Sequence, residues 1–211
     1  MKLPIEIRTI SNETEFKLKE KGSLFIAKSF PINSEDEINN KLFLIKKEFY
    51  DANHHCYSYK LQNGIFKYSD DGEPNGTAGI RIFNAQNHFQ LTNILTVVIR
   101  YFGGVKLGVG PLGKAYYETA FESLLKSKVY TLELYQKVIF TYDFSQSKTI
   151  HHFISKFNLK IIENKYSNLP QITALIKVSL LQDFIDAISN YSPLIKFNLE
   201  DEFEYLEKKD N

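Results

Sequence analysis

The chain has 211 residues, of which 43% are hydrophobic and 24% charged, and this length can bury a core in one large or two small domains. Its formal net charge of +1 excludes a global attraction to nucleic acid or membrane, so such binding would need a local patch. One cysteine excludes an intramolecular disulfide and a cysteine zinc cluster, and the apolar runs are too short to span a bilayer, so we expect a cytoplasmic protein without membrane contact.

The first part of the chain alternates strand and helix patterns. Strands are predicted near residues 15–20, 23–30, 54–61 and 93–102, and helices near 35–50, 76–88 and 111–127. Ser34 and Glu37 fit a capping box at the start of the first helix. All ten glycines lie before residue 114, so unusual backbone geometry is confined to this part.

The strand near 54–61 carries a histidine and the cysteine at alternate positions. His54 and Cys56 therefore face the same side of a sheet. A Cys–His nucleophile pair is one interpretation of this pattern. The alternative is that Cys56 is a small core residue, which is the commoner role of an isolated cysteine on a strand.

An acidic turn, "SDDGEPNGTAGI", follows this strand. It places Asp70, Asp71 and Glu73 within four residues, just before a helix. These carboxylates would serve as metal ligands or as a general acid–base pair, or they would simply build the turn and favour the positive end of the helix. The small residues 76–79 would let another backbone approach closely.

A glycine-rich loop, "RYFGGVKLGVGPLGK", follows the apolar strand near 93–102. It matches two phosphate-binding signatures, G-x-G-x-x-G and G-x-x-x-x-G-K. The second signature requires Ser or Thr after the lysine as a magnesium ligand, and Ala115 stands there. The first signature belongs to a doubly wound fold, but the rest of the chain lacks the further strand–helix units that this fold requires. Neither a nucleoside triphosphatase nor a dinucleotide enzyme is predicted.

The loop has features that favour phosphate binding even though neither signature is complete. A glycine turn that opens a helix presents free N–H groups and a positive dipole end, which suit a phosphate of an RNA backbone. The candidate phosphate-binding residues are Arg100, Tyr101, Phe102, Gly103, Gly104, Lys106, Gly108, Gly110 and Lys114. The alternative is that the glycines only permit tight packing of helix on strand, with Pro111 as the first helical residue.

The second part of the chain has a different order of elements. Strand, helix, hairpin, helix and strand patterns run from "YQKVIFTYDF" to "IKFNLEDEF", with the hairpin turning at Asn168. This βαββαβ order predicts a ferredoxin-like domain.

Together, "HHCYSY", "DDGEPNGTAGIRIF" and "LTNILTVVIRYFGGVKLGVGPLGKAY" resemble the YigZ/Impact family in order and spacing. The resemblance implies an N-terminal domain similar to domain IV of elongation factor G and a ferredoxin-like C-terminal domain. It also implies a role in translation, since the eukaryotic Impact proteins restrain an amino-acid-starvation kinase. The acidic motif of the family corresponds here to Asp70, Asp71, Gly72, Glu73, Pro74, Gly76, Thr77, Ala78 and Gly79.

Two details of the resemblance bear on the site. Lys114 replaces the arginine of the family, which keeps the charge but loses the planar fork. If the acidic and glycine motifs meet, Arg100 would pair with Asp70 or Asp71, leaving Lys106 and Lys114 as the exposed cations.

The sequence thus predicts a two-domain α+β protein, with domains 1–132 and 133–211, that binds RNA or the ribosome and needs no cofactor or metal. One alternative is a small hydrolase that uses the acidic residues with a metal, or the His54–Cys56 pair, on a phosphorylated substrate. Another is a regulator that binds only a protein partner.

Overall fold

The computed structural model describes residues 3–191 and 194–208. The chain divides into two units. The first contains Ile7–Thr131, and the second contains Pro4–Glu6 and the chain from Leu132 onward.

The first unit is built on an antiparallel sheet. The elements up to residue 131 are strands β1 (Glu6–Ile10), β2 (Thr14–Glu20), β3 (Ser23–Pro31), β4 (His54–Lys60), β5 (Phe66–Ser69) and β6 (Ile94–Tyr101), and helices α1 (Glu35–Glu48), α2 (Gly79–His88) and α3 (Val109–Leu125). The sheet has the order β2–β3–β6–β4–β5, and every neighbouring pair is antiparallel. A doubly wound dinucleotide-binding fold requires parallel strands, so this antiparallel sheet agrees with the prediction that the chain does not have that fold.

The central strand β6 is buried on both faces of this sheet, which explains its unbroken apolar sequence. Ile94 and Val98 belong to a core that also contains residues of α2 and α3. Leu95, Val97 and Ile99 face the opposite core, which α1 covers. The helices therefore lie on both sides of the sheet, with α2 and α3 on the same side.

The second unit has the predicted βαββαβ order. Its elements are β7 (Val129–Tyr142), α4 (Ser147–Lys156), β8 (Lys160–Lys165), β9 (Gln171–Lys177), α5 (Leu181–Ser189) and β10 (Ile195–Glu207). These strands lie in the order β10–β7–β9–β8 with antiparallel neighbours, which is the ferredoxin-like arrangement. Phe140, Phe153 and Phe184 pack in its core. The two-domain α+β fold is confirmed.

The ends of the helices follow from specific hydrogen bonds. Ser34 Oγ accepts the Glu37 N–H at 3.2 Å, as predicted, and the Glu37 carboxylate accepts from Asn33 N–H at 2.7 Å. The prediction for α3 was wrong by two residues, because Gly108 is the N-cap and Pro111 the third helical residue. Proline fits there since an N–H in the first turn has no intrahelical acceptor.

Candidate functional site

The acidic turn is held by its first aspartate. The Asp70 carboxylate accepts hydrogen bonds from the backbone N–H groups of Gly76 at 2.9 Å, Ala78 at 3.0 Å and Gly79 at 2.8 Å. It thereby caps α2, whose N-cap residue Ala78 has no capping side chain. Both carboxylate oxygens are occupied, so Asp70 has a structural role and is a poor candidate for acid–base chemistry.

The next aspartate holds the two histidines of β4. The Asp71 carboxylate accepts the His55 backbone N–H at 2.6 Å, and its carbonyl lies 2.8 Å from His54 Nδ1. Since a carbonyl only accepts, His54 Nδ1 carries a proton and donates it to this carbonyl. Asp71 and Gly72 both have positive φ, 41° and 85°, which makes the turn sharp enough for these contacts.

The third carboxylate, Glu73, forms the ion pair with Arg100. Glu73 Oε1 accepts from Arg100 Nη1 at 2.6 Å and from the Tyr116 hydroxyl at 2.7 Å. Glu73 is 9% exposed and Arg100 5%. The predicted pairing of Arg100 with Asp70 or Asp71 is therefore wrong, because the Asp70 carboxylate accepts N–H groups at the start of α2 and the Asp71 carboxylate accepts from β4.

The Arg100 guanidinium is enclosed by aromatic rings. Its centre lies 5.2 Å from the Phe25 ring and 5.5 Å from the Phe102 ring. Nη2 donates to Ser23 Oγ at 3.3 Å. Within residues 3–191 and 194–208, Nε is buried with no acceptor. The Arg100 guanidinium therefore forms part of the buried wall of the site and is not exposed to bind a phosphate.

The environment of Cys56 disfavours the nucleophile hypothesis. Its side chain is fully buried; the thiol donates to the Asp70 carbonyl at 3.0 Å, and the sulfur lies 3.4 Å from the Tyr116 hydroxyl. Burial raises the pKa of the Cys56 thiol far above its ordinary range, so the thiol stays protonated. Cys56 behaves as a core residue of the first unit.

The glycine-rich loop divides into a packed part and an open part. A Cβ atom on Gly103 would lie 1.9 Å from the carbonyl carbon of Gly22, so the two backbones cross there. Phe102, beside it, is 44% exposed and its N–H donates to Asn53 Oδ1 at 2.7 Å. The Tyr101 hydroxyl donates to Asp51 at 2.8 Å, and this hydrogen bond raises the Tyr101 pKa.

The open part leads into α3. Gly108 has φ +83°, and neither a capping side chain nor an acidic residue stands in the first turn of the helix. The first helical hydrogen bond runs from Leu112 N–H to the Gly108 carbonyl, so the N–H groups of Val109 and Gly110 precede it. This end of α3 has the properties of an anion site.

The two candidate lysines lie on different sides of that helix end. Lys106 is exposed, while Lys114 lies 3.4 Å from the Glu118 carboxylate in an exposed i,i+4 pair. Lys114 and Gly110 border a shallow groove of about 340 Å³ that also contains Lys21 and Glu20. Lys106 instead borders a second concavity.

This second concavity, which we call the cleft, brings the two motifs together. It has a volume of about 350 Å³. Its walls are His54, Glu73, Pro74, Arg100, Phe102, Lys106, Leu107, Gly108, Val109 and Leu112. The cleft thus combines a helix N-terminus, a lysine, a histidine and an apolar wall, a combination that suits an anion with an apolar or aromatic part.

Sequence reasoning missed the contribution of Tyr116. Its side chain is fully buried and joins Glu73 to Cys56 behind the cleft. The helical spacing from Leu112 to Tyr116 was the available signal, because residues four apart share one face.

In residues 3–191 and 194–208, no group of three His, Cys, Asp or Glu side chains is placed to hold a metal ion. Over the same residues, no helix has the length and apolar character needed to cross a membrane.

Comparisons with known proteins give a consistent result. The Impact N-terminal domain matches residues 21–124. The IMPACT family member in the pol 5′ region of Thermus thermophilus is 34% identical over 67% of this chain and 76% of its own length. The IMPACT family member YvyE of Bacillus subtilis (strain 168) is 28% identical over 96% of this chain and 94% of its own. A crystal structure of a hypothetical protein shares the fold, with a TM-score of 0.65 at 23% identity over 95% of this chain and 100% of that chain.

Proposed function

The chain belongs to the IMPACT family, and from this premise we propose that it is a non-catalytic protein that binds RNA, with ribosomal RNA as its target in translation. The observation that carries the proposal is the uncapped first turn of α3, which opens into the cleft beside Lys106. The translational role rests on the family resemblance alone.

The charge distribution around α3 supports a phosphate backbone as the ligand. The net charge of the chain is only +1, so attraction must be local. Lys106 lies on the cleft side of the first turn, and Lys21 and Lys114 lie on its groove side. A single strand crossing this turn would meet two N–H groups in the middle and lysines on both sides.

The catalytic alternatives have less support. Asp70 caps α2, Asp71 holds β4, and Cys56 is a buried thiol. Glu73 lines the cleft but is paired with Arg100, so a hydrolase would depend on His54, which also lines the cleft. Incubation of labelled RNA with the protein tests that reading, and we expect the RNA to remain intact.

The experiment is binding of the purified protein to ribosomal subunits and to single- and double-stranded RNA across a salt series. We expect affinity to fall steeply with salt, because each phosphate contact releases counterions. The Lys106→Ala/Lys114→Ala protein should bind more weakly and with a salt slope lower by about 2, one for each lost phosphate contact.

The matched control is Lys47→Ala, an exposed lysine on α1, the helix that covers the opposite face of the sheet. It should bind RNA as the unchanged protein does. Absence of binding at low salt would refute the RNA function. Binding of a protein partner that does not depend on salt would favour the regulator that binds only protein.

A further inference from the structure

The two helices of the second unit pack on one face of its sheet. Phe153 of α4 and Phe184 of α5 belong to a core that also contains Val138 and Phe140 of β7. Ile139, between those two strand residues, points to the opposite face, because successive side chains of a strand alternate. That opposite face borders a concavity of about 570 Å³, which we call the sheet-face groove.

Apolar side chains line the sheet-face groove, although the solvated face of an antiparallel sheet normally carries polar residues. Ile139 and Leu175 come from the two central strands, β7 and β9. Ile162 of β8 is 55% exposed, and Phe203 of β10 is 43% exposed. Exposed apolar residues gathered in one concavity are typical of a surface that binds a partner.

The width of the groove fits an α-helix. Ile162 and Phe203 stand on the two outer strands of the order β10–β7–β9–β8. Three strand spacings of about 4.8 Å separate these strands, which gives a width of about 14 Å. An α-helix with its side chains is about 10–12 Å across, so it fits between the two outer strands with its apolar stripe on Ile139 and Leu175.

The charges around the groove complement a basic partner. Two of the glutamates that line it are already paired, Glu202 with Lys137 at 2.9 Å and Glu163 with Lys165 at 3.0 Å. These pairs use both lysines of the lining. Glu204 also lines the groove, is exposed, and has no ion-pair partner within residues 3–191 and 194–208. The unpaired charge is therefore negative, which attracts Lys or Arg and repels a phosphate backbone.

A bulge in β10 holds this acidic rim in place. The register of β10 on β7 shifts over the segment that contains Glu200 and Glu202. Gln136 Nε2 donates to the Glu200 carbonyl at 2.9 Å, and Lys137 Nζ donates to the Glu202 carboxylate at 2.9 Å. The exposed Asp201 adds a further carboxylate to the bulge. Because these contacts already order the rim, less conformational entropy is lost when a partner binds.

We propose that the sheet-face groove binds an amphipathic helix of a partner protein, with the apolar stripe of that helix on Ile139, Leu175 and Phe203 and its Lys or Arg side chains at Glu204. Such a helix carries apolar residues at positions i, i+3, i+4 and i+7. The inference goes beyond RNA binding and does not depend on it, since the residues of the groove lie in the second unit.

The test is fluorescence anisotropy of the full chain with a labelled helical peptide of about 14 residues, about 21 Å long, made of leucine at helical spacing and lysine elsewhere. Two companion peptides replace every lysine by glutamate or every leucine by alanine. The leucine–lysine peptide should bind at least about tenfold more tightly than either companion, because it alone matches both the apolar floor and the unpaired carboxylate.

Two variants locate the binding. Phe203→Ser should lower the affinity for the leucine–lysine peptide at least about tenfold, since it removes a large apolar contact. Phe144→Ser is the matched control, because Phe144 is 58% exposed in the same unit but lies outside the lining of the groove. Glu204→Lys should weaken binding of the lysine peptide and strengthen binding of the glutamate peptide, and loss of folding would not produce these opposite shifts.

The outcomes distinguish a protein partner from other occupants. Equal binding of the three peptides, or equal losses in Phe203→Ser and Phe144→Ser, would overturn the proposal. A fall in RNA affinity in Phe203→Ser would assign the groove to RNA instead. Sedimentation of the chain as a dimer that Phe203→Ser dissociates would assign it to a second copy. Loss of peptide binding with RNA affinity unchanged would support a separate protein site.

Discussion

Arg100 and Glu73 show how a buried ion pair shapes this site. The carboxylate receives two hydrogen bonds, from Arg100 Nη1 at 2.6 Å and from the Tyr116 hydroxyl at 2.7 Å, and the guanidinium lies against Phe25 and Phe102. Desolvation of both charges is costly, so such a pair is favourable only with these additional contacts. It fixes the acidic turn to the end of β6 and thereby forms the rear wall of the cleft.

We predict that Glu73→Gln strongly destabilises the first unit. The substitution leaves a buried guanidinium without its counter-charge, and removing one partner of a buried pair costs about 3–5 kcal/mol. Denaturant unfolding followed by circular dichroism measures the loss. Glu118→Gln is the matched control, because it breaks an exposed pair with Lys114 and should change stability by less than about 1 kcal/mol. A Glu73→Gln protein as stable as the unchanged one would contradict this account.

The choice of Glu73 over its neighbours lay beyond sequence reasoning. The sequence does not distinguish the carboxylates of Asp70, Asp71 and Glu73, because their spacing would let any one of them pair with Arg100. In the folded turn, where Asp71 and Gly72 have positive φ, the carboxylates of Asp70 and Asp71 accept backbone N–H groups and Glu73 pairs with Arg100. Dihedral angles of this kind depend on the folded surroundings.

At the scale of the elements, glycines determine where backbones cross. A Cβ on Gly103 would lie 1.9 Å from the Gly22 carbonyl carbon, and one on Gly79 would lie 2.7 Å from Ser69 N. The predicted close approach within residues 76–79 is confirmed at Gly79. Gly110, by contrast, has open space at this position: outside its own turn of helix, no atom of residues 3–191 and 194–208 lies within 4 Å of such a Cβ.

We predict opposite effects for two glycine substitutions. Gly103→Ala should destabilise the protein by about 1–3 kcal/mol or more, because the backbones must separate. Gly110→Ala should be neutral or stabilise by up to about 1 kcal/mol, since alanine favours a helix and space is available. Thermal unfolding of the two variants makes the comparison. Equal stability of the two would show that the crossing at Gly103 is not tight.

No strand was predicted at β1 or at β5. β5, "FKYS", has only four residues, three of them exposed, and shows no alternation between core and solvent. α2 begins at Gly79, three residues later than expected, because the Asp70 carboxylate takes the N–H groups of Gly76 and Ala78. The long apolar strand β6 and the helices with a clear 3.6-residue period were predicted correctly in type.

For the whole molecule, each unit has its own core, and the cleft lies within the first unit. The βαββαβ order of the second unit followed from alternation and helical spacing, which are local signals. The cleft could not be predicted from such local signals, because it is lined by His54, Glu73 and Val109, which are far apart in sequence. In the second unit, Lys137 and Phe203 border a concavity of about 570 Å³.

The measurement that tests the central claim most directly is RNA binding by Val109→Asp and Val109→Asn at low salt. Val109 is 64% exposed at the first position of α3, so both variants should fold, and aspartate favours a helix N-terminus. If phosphate binds there, the added carboxylate should lower RNA affinity by at least about tenfold relative to the asparagine control, since it repels the ligand at close range. Equal affinity of the two variants would contradict the assignment of this helix end as the phosphate site.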